Sequence, residues 1–104
     1  MEDREYLVIL YDYYGELFND NQKRCFEAYY FDNLSLSEIS ENENKSRNAI
    51  HKLIKGVCNK LYEYEDMLKL YEKSNKIKEI IKDIDGDIRT KIEELLWRIG
   101  YHFI

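Results

Sequence analysis

The chain contains no proline, and this absence limits its fold more than any other feature of the sequence. Proline breaks or kinks a helix interior, and about 5 prolines would be expected at this length from average usage. There are also only four glycines, so few points can interrupt a helix. Apolar residues recur at spacings of three and four along nearly the whole chain. The sequence therefore predicts an all-α protein.

The first 33 residues predict two amphipathic helices joined by a short turn. The first helix is expected over residues 3–18 and the second over residues 21–31, with Asn19 and Asp20 as candidate N-caps. Asp32 and Asn33 then predict a turn. The apolar stripe of the first helix contains Leu7, Leu10, Tyr11, Tyr14, Leu17 and Phe18.

The next segment predicts a short helix, a tight turn and a longer helix. Ser35 and Glu38 form a Ser-x-x-Glu capping box for a third helix that ends near Asn42. Asn44 suits the turn, because asparagine tolerates the left-handed conformation. Ser46 is the expected N-cap of the fourth helix. This layout is typical of a helix-turn-helix, whose second helix enters the DNA major groove.

The fourth helix continues well beyond the length of a recognition helix. Its inner side is expected to carry Ala49, Ile50, Leu53, Ile54 and Val57. Apolar residues also form a heptad seam, made of Ile50, Ile54, Val57, Leu61, Tyr64, Leu68 and Tyr71. Such a seam needs a covering helix, either later in the chain or from another copy, so the sequence predicts a homodimer.

Two regions are expected, a helix-turn-helix domain at residues 1–73 and a C-terminal helical extension at residues 74–104. The extension resumes the amphipathic pattern after Ser74 and Asn75, and residues 97–104 are strongly apolar. Its apolar face is expected to serve in dimerisation or to pack on the same chain.

Charge is distributed unevenly along this acidic chain, whose net charge is −5. Residues 1–44 contain eleven acidic and three basic side chains, whereas residues 45–62 contain five basic side chains and no acidic one. A basic segment inside an acidic chain indicates a local patch for a polyanion. This segment coincides with the expected recognition helix.

Six residues at the start of the fourth helix are candidate nucleic-acid contacts. The amide and hydroxyl of Ser46 could meet a phosphate, while Arg47 could reach guanine and Asn48 could reach adenine. One turn further on, Lys55 would touch the backbone. The alternative is a solvated basic helix face, which is common in helical bundles. The complete candidate set is Ser46, Arg47, Asn48, His51, Lys52 and Lys55.

A set of stretches occurs in an order and spacing that identify a protein family. These stretches are LYDYYGELF (10–18), Gln22, FEAYYFD (26–32), LSLSEI (34–39), SRNAIH (46–51), Ile54–Lys55, Leu61, Tyr64–Glu65 and Leu68. Over roughly residues 7–72 the chain resembles the YlxM family of small bacterial proteins, whose fold is similar to region four of sigma factors. The last thirty residues match the family only in being helical.

This resemblance implies a DNA-binding helix-turn-helix regulatory protein. Members of the family are usually encoded beside components of the signal recognition particle, which implies a regulatory part in that pathway. The resemblance therefore leaves three partners open: DNA, the RNA of that particle, or one of its protein components bound without any nucleic-acid contact.

Two charged residues stand at positions where this motif usually has apolar ones. Glu43 stands just before the turn and Lys45 just after it, where apolar side chains would pack the two helices together. We expect these charges to loosen the contact between the helices, or their stems to extend to the surface.

Other functional classes lack support in the sequence. No nucleophile–His–Asp order, phosphate-binding loop or paired-carboxylate signature is present, so we expect no enzymatic activity and no cofactor. His51, His102, Cys25 and Cys58 do not repeat at metal-ligand spacing, so no metal site is expected. Without a basic leader or an apolar run of membrane-spanning length, the chain is expected to be cytoplasmic, with no membrane contact.

Overall fold

The computed structural model describes residues 3–98, and over that range it contains six α-helices and no strand. The all-α prediction is confirmed. A short 3-10 turn, Gly15–Leu17, follows the first helix. The helices are α1 (Arg4–Tyr14), α2 (Asp20–Tyr30), α3 (Leu36–Glu43), α4 (Arg47–Leu68), α5 (Leu70–Ile81) and α6 (Gly86–Arg98).

Side-chain caps fix where the early helices begin. The Asn19 side chain accepts a hydrogen bond from the Gln22 amide at 2.8 Å, and the Gln22 side chain accepts one from the Asn19 amide at 2.9 Å. Ser35 and Glu38 form the same reciprocal box at the start of α3, with distances of 3.1 and 3.0 Å. Because these boxes satisfy backbone donors that a helix start leaves free, both helices begin at defined residues.

A single hydrophobic core lies where α1 and α2 pack against α4. One prediction for the α1 stripe is wrong, because Leu17 is 58% exposed. The α-helix ends at Tyr14 and the chain tightens into the 3-10 turn, so the helical spacing no longer applies at residue 17. The most deeply buried side chains include Leu7, Leu10, Tyr14, Phe26, Ile39, Ile50, Ile54, Val57 and Leu61.

Helices earlier in the chain cover the heptad seam of α4. Ile50, Ile54, Val57 and Leu61 are fully buried in the core that α1 and α2 share with α4. The expectation that a later helix or a second copy covers this part of the seam is therefore wrong. Heptad spacing reports only that a face is apolar, and α1 and α2 supply apolar faces of their own.

A buried carboxylate joins α4 to α5. Glu65 is 8% exposed and accepts hydrogen bonds from the Tyr14 hydroxyl at 2.6 Å and from the Tyr71 and Glu72 amides, each at 3.1 Å. The Tyr14 hydroxyl in turn accepts from the Leu70 amide at 3.0 Å. The free amides of the first turn of α5 thus bond to groups on α4 and α1, which fixes the direction in which α5 leaves the core.

A single residue separates α4 from α5. Lys69 adopts the left-handed conformation, with φ 55° and ψ 36°, and its amide donates to the Glu65 carbonyl. Helix α5 then continues through Ser74 and Asn75 without a break. The predicted division at residues 73 and 74 falls inside this helix and stays a prediction.

The structure is elongated, measuring 54 × 23 × 21 Å. Leu70 and Tyr71 in the first turn of α5 pack against the main core, whereas several large apolar side chains further along α5 and on α6 are exposed. Of the predicted apolar tail at residues 97–104, residues 99–104 lie outside the described residues. None of the helices between residues 3 and 98 is long and apolar enough to cross a membrane. The exposed apolar residues of α5 and α6 are Ile80, Ile88, Leu95 and Trp97.

Candidate nucleic-acid interface

Three residues, 44–46, form the turn between α3 and α4. Asn44 is in the left-handed conformation, with φ 57° and ψ 45°, as the sequence predicted. Its amide donates to the Glu41 carbonyl at 3.3 Å, and the Lys45 amide donates to the Ser40 carbonyl at 3.0 Å. This pair of bonds is a Schellman motif, which satisfies the last carbonyls of α3 and sets the angle between the two helices.

An ion pair and a buried isoleucine hold α3 in place. Ile39 is 1% exposed, and the Glu43 carboxylate receives two bonds from the Arg24 guanidinium on α2, at 2.8 and 3.3 Å. This contact holds the pKa of Glu43 below its ordinary value and raises that of Arg24. Glu43 therefore links α3 to α2, whereas the sequence suggested that it would loosen the motif. Lys45 is exposed, as one of the two expectations allowed.

The start of α4 projects into solvent. Ser46, Arg47 and Asn48 are all exposed, and the Ser46 hydroxyl accepts from the Ala49 amide at 3.0 Å, which confirms the predicted cap. Ala49 is exposed as well, so its predicted place on the inner side of the helix is wrong. Successive residues of a helix are about 100° apart around its axis, so Ala49 is rotated by that angle from the buried Ile50. This rotation turns the Ala49 side chain away from the core.

The structure brings most of the predicted contact residues onto one face. Asn48, Lys52 and Lys55 are exposed and lie within about 60° of arc around the helix axis. Arg47 is exposed at the first turn, beside this arc. His51 is partly buried and lies at the edge of the face, toward the core. The face presents donors and cations over about three turns of helix.

Sequence reasoning missed two members of this face. Asn59 lies within the same arc as Lys52 and Lys55 and is exposed. Gly56 is also exposed, and a methyl group added there would meet no atom within 4 Å. Extending the helical periodicity by one turn beyond Lys55 would have found Asn59. We refer to the exposed surface formed by Lys45–Asn48, Lys52, Lys55, Gly56 and Asn59 as the basic face.

The cations of the basic face form no ion pair with a carboxylate among the described residues, although Lys45 is near enough to Glu43 to help Arg24 lower the pKa of that carboxylate. Eight other lysines and arginines each lie 2.5–3.8 Å from a carboxylate oxygen. One of them is Lys60, which pairs with Glu63, so the fifth cation of the basic segment is locally neutralised. Lys45, Arg47, Lys52 and Lys55 make no such pair within residues 3–98. Their field is therefore directed outward, where a polyanion could approach.

Backbone amides add to the positive end of α4. The Ala49 amide bonds to the Ser46 hydroxyl and the Ile50 amide to the Ser46 carbonyl. The amides of Arg47 and Asn48 come before the first bonded turn and remain available, within the described chain, to an incoming oxygen. Such amides, together with the helix dipole, favour a phosphate at the start of a 22-residue helix.

Metal binding finds no support in the described part of the chain. Residues 3–98 contain no group of three or more His, Cys, Asp or Glu side chains placed to hold a metal ion. Cys25 and Cys58 are both buried, and burial raises the pKa of each thiol. These thiols pack as small apolar groups.

Comparison with known proteins agrees with the helix-turn-helix geometry. A family model described as "Putative helix-turn-helix protein, YlxM / p13 like" matches residues 1–97. A UPF0122 protein of Malacoplasma penetrans is 41% identical over 102 residues, covering 92% of this chain and 94% of its own. A UPF0122 protein of Clostridium acetobutylicum is 45% identical over 97 residues, covering 90% and 84%.

A third relative, from Clostridium novyi, is 51% identical over 83 residues, covering 79% of this chain and 69% of its own. These matches extend over nearly all of the described helices and confirm the resemblance to YlxM proteins. The family is described by its helix-turn-helix and not by a catalytic activity. The chain therefore belongs to the UPF0122 family of YlxM/p13-like helix-turn-helix proteins.

Proposed function

We propose that the protein is a DNA-binding regulatory protein that places the start of α4 in the major groove. One observation carries this proposal: the exposed cations of the basic face form no ion pair within the described chain, while eight other cations do. In a chain of net charge −5, such a cluster is a local site of attraction for phosphate.

Each residue of the basic face then has a role set by its position. The Ser46 hydroxyl and the amides of the first turn hold one phosphate, since helix starts bind anions. Arg47 and Asn48 read base edges, because their side chains match guanine and adenine respectively. Lys52 and Lys55 contact the DNA backbone further along the groove. His51, at the edge of the face, adds a contact at the rim.

The Schellman turn and the Arg24–Glu43 pair support this role by holding α3 against α2. Recognition of a DNA sequence requires the recognition helix to keep a fixed angle to the first helix of the motif, which crosses the DNA backbone. Hydrogen bonds at Asn44 and Lys45 and the two-pronged ion pair fix that angle before DNA arrives. A preorganised motif loses less conformational entropy on binding.

The resemblance to YlxM proteins adds a regulatory setting, the signal recognition particle pathway. The RNA of that particle is a second nucleic-acid target that the same basic face would suit. The rival idea, a module that binds a protein of that particle without touching nucleic acid, relied partly on an uncovered seam along α4. Since α1 and α2 cover that seam at Ile50–Leu61, this ground for it is removed.

We also propose a homodimer formed through the C-terminal extension at residues 74–104. Ile80, Ile88 and Leu95 are 70%, 53% and 64% exposed, and water contact with such apolar side chains is unfavourable. A helix-turn-helix dimer would present two recognition helices to two half-sites. Sedimentation equilibrium at micromolar concentration tests this, and a monomer mass would refute it.

Fluorescence anisotropy tests the proposal with labelled genomic DNA fragments and with the particle's RNA at low salt. We expect binding that weakens with salt, with a slope of about 0.9 in log K for each B-DNA phosphate contact. Changing Arg47 to Ala should relax base preference at a cost of about 1–3 kcal/mol on the preferred site. If neither probe binds more tightly than about 100 μM, the weak limit of non-specific binding, the proposal fails.

A further inference from the structure

A groove at the opposite end of α4 from the basic face has acidic and aromatic walls. It lies between α1, the last turns of α4 and the first turns of α5, and has a volume of about 590 Å³. We call it the tyrosine groove and define it by Tyr6, Tyr62, Tyr71, Glu65, Asp66 and Glu72. Asp66 is eleven residues from Lys55, the last cation of the basic face, which is about 17 Å along the helix. The groove is therefore separate from the cations of the basic face, and Asn59 lies between them.

Three tyrosine rings surround this groove at close range. The Tyr6 ring centroid lies 5.9 Å from that of Tyr62 and 6.0 Å from that of Tyr71, with interplanar angles of 32° and 62°. Tyr62 is exposed, whereas Tyr6 and Tyr71 are partly buried and fixed by the core. Rings inclined in this way present both faces and edges to one small volume. The negative face of an aromatic ring attracts a cation within about 6 Å.

The groove is lined by four carboxylates, those of Glu63, Glu65, Asp66 and Glu72, and by one ammonium group, that of Lys69. Glu65 is held in place by the Tyr14 hydroxyl and two backbone amides. Glu72 already pairs with Lys69 and Lys76. Asp66 is exposed and has no hydrogen bond or ion pair with any residue from 3 to 98. One carboxylate beside the rings is therefore free to accept a donor from outside.

We propose that the tyrosine groove binds an arginine side chain from a basic segment of a partner protein. A guanidinium is planar and weakly hydrated, so it can stack on Tyr62 while it donates two parallel bonds to Asp66. Lysine offers only a point charge and would fit the stacked geometry less well. Anionic ligands are disfavoured by the carboxylates. The protein thus has a basic face for nucleic acid and an acidic groove for a basic polypeptide at opposite ends of one helix.

Acetylated tetra-arginine amide is a suitable probe, titrated into the full-length ¹⁵N-labelled protein. We expect saturable binding, with amide shifts centred on residue 6 and residues 62–72, and tighter binding than with the tetra-lysine peptide. Changing Asp66 to Asn, or Tyr62 to Leu, should each weaken binding by about two- to fivefold, the effect of one exposed ion pair or one cation–π contact.

Asp83→Asn is the matched control, because Asp83 is also exposed and the variant has the same net charge as Asp66→Asn. It should leave the affinity unchanged. Equal losses in the two variants, equal binding of the lysine peptide, or shifts spread over all acidic surfaces would overturn the proposal. The proposal would also be overturned if, without peptide, the amide shifts of the groove residues changed as protein concentration rose, and if Arg47→Ala abolished this change. The occupant of the groove would then be a second copy of the chain.

Discussion

Replacing Glu65 with Gln should destabilise the protein more than its position near the end of a helix would suggest. The carboxylate receives three hydrogen bonds, from the Tyr14 hydroxyl and from two amides of the first turn of α5. A glutamine retains one acceptor oxygen but presents an NH₂ group to donors that need an acceptor. Hydrogen bonds to a charged group are worth about 1.5–3 kcal/mol each, so losing one or two should cost about 1.5–6 kcal/mol.

Tyr14→Phe probes the same network from its other end. It removes a hydroxyl that donates to Glu65 and accepts from the Leu70 amide, so a cost of about 1–3 kcal/mol is expected. Because both variants alter the same hydrogen-bond network, the double variant should cost less than the sum of the two single changes.

Urea denaturation followed by circular dichroism measures both changes. Glu63→Gln is the control, since Glu63 is exposed two residues earlier on the same helix and should change stability by less than about 0.5 kcal/mol. If Glu65→Gln costs no more than this control, the buried carboxylate does not hold α5 in place. A fully additive double variant would mean that Tyr14 and Glu65 act independently.

Three further predictions concern the motif around the basic face. Asn44→Val should lower the free energy of unfolding by about 1–2 kcal/mol, because valine is strained in the left-handed conformation. Asn44→Gly should be tolerated, and urea denaturation midpoints of the two variants test the difference. Gly56→Ala should raise that free energy by about 0.5–1 kcal/mol, since the added methyl group meets open space in a helix interior, and a lower melting temperature would contradict this. Arg24 holds the pKa of Glu43 in the folded protein below its ordinary 4.5. The stability that this pair adds is therefore present above pH 4.5 and is lost as pH falls through the lower folded pKa. Glu43→Gln should make the urea midpoint less dependent on pH in this acid range.

Local signals in the sequence predicted much of the fold. The capping box at Ser35 and Glu38, the turn at Asn44 and the cap at Ser46 each act within four residues, so their chemistry can be read from neighbouring side chains. Together they placed both helices of the helix-turn-helix within a residue or two of where the structure has them. The basic segment likewise coincides with the exposed start of α4.

Contacts between distant residues were not predictable in this way. The break at Lys69 has no glycine, proline or asparagine to mark it, and the carboxylate that caps α5 comes from the preceding helix, with Tyr14 more than fifty residues away. For the same reason, heptad spacing along α4 could not show that α1 and α2 cover the seam. The ion pair between Arg24 and Glu43 also joins separate helices. From the sequence alone, Glu43 was therefore expected to disrupt the packing of the helix-turn-helix.

If unpaired cations on the basic face bind nucleic acid, removing the charge of Lys55 should weaken that binding directly. Lys73 is a matched control, because it is also an exposed helical lysine with no ion pair among the described residues, but it lies on α5. Anisotropy titrations over a range of salt concentrations should show that Lys55→Ala weakens binding to all DNA sequences alike and lowers the salt slope by about 0.9, the contribution of one phosphate contact. Lys73→Ala should leave both the affinity and the slope unchanged. If the two variants change the affinity and the salt slope equally, any positive charge on the chain has the same effect on DNA binding. The basic face would then be an ordinary solvated helix surface.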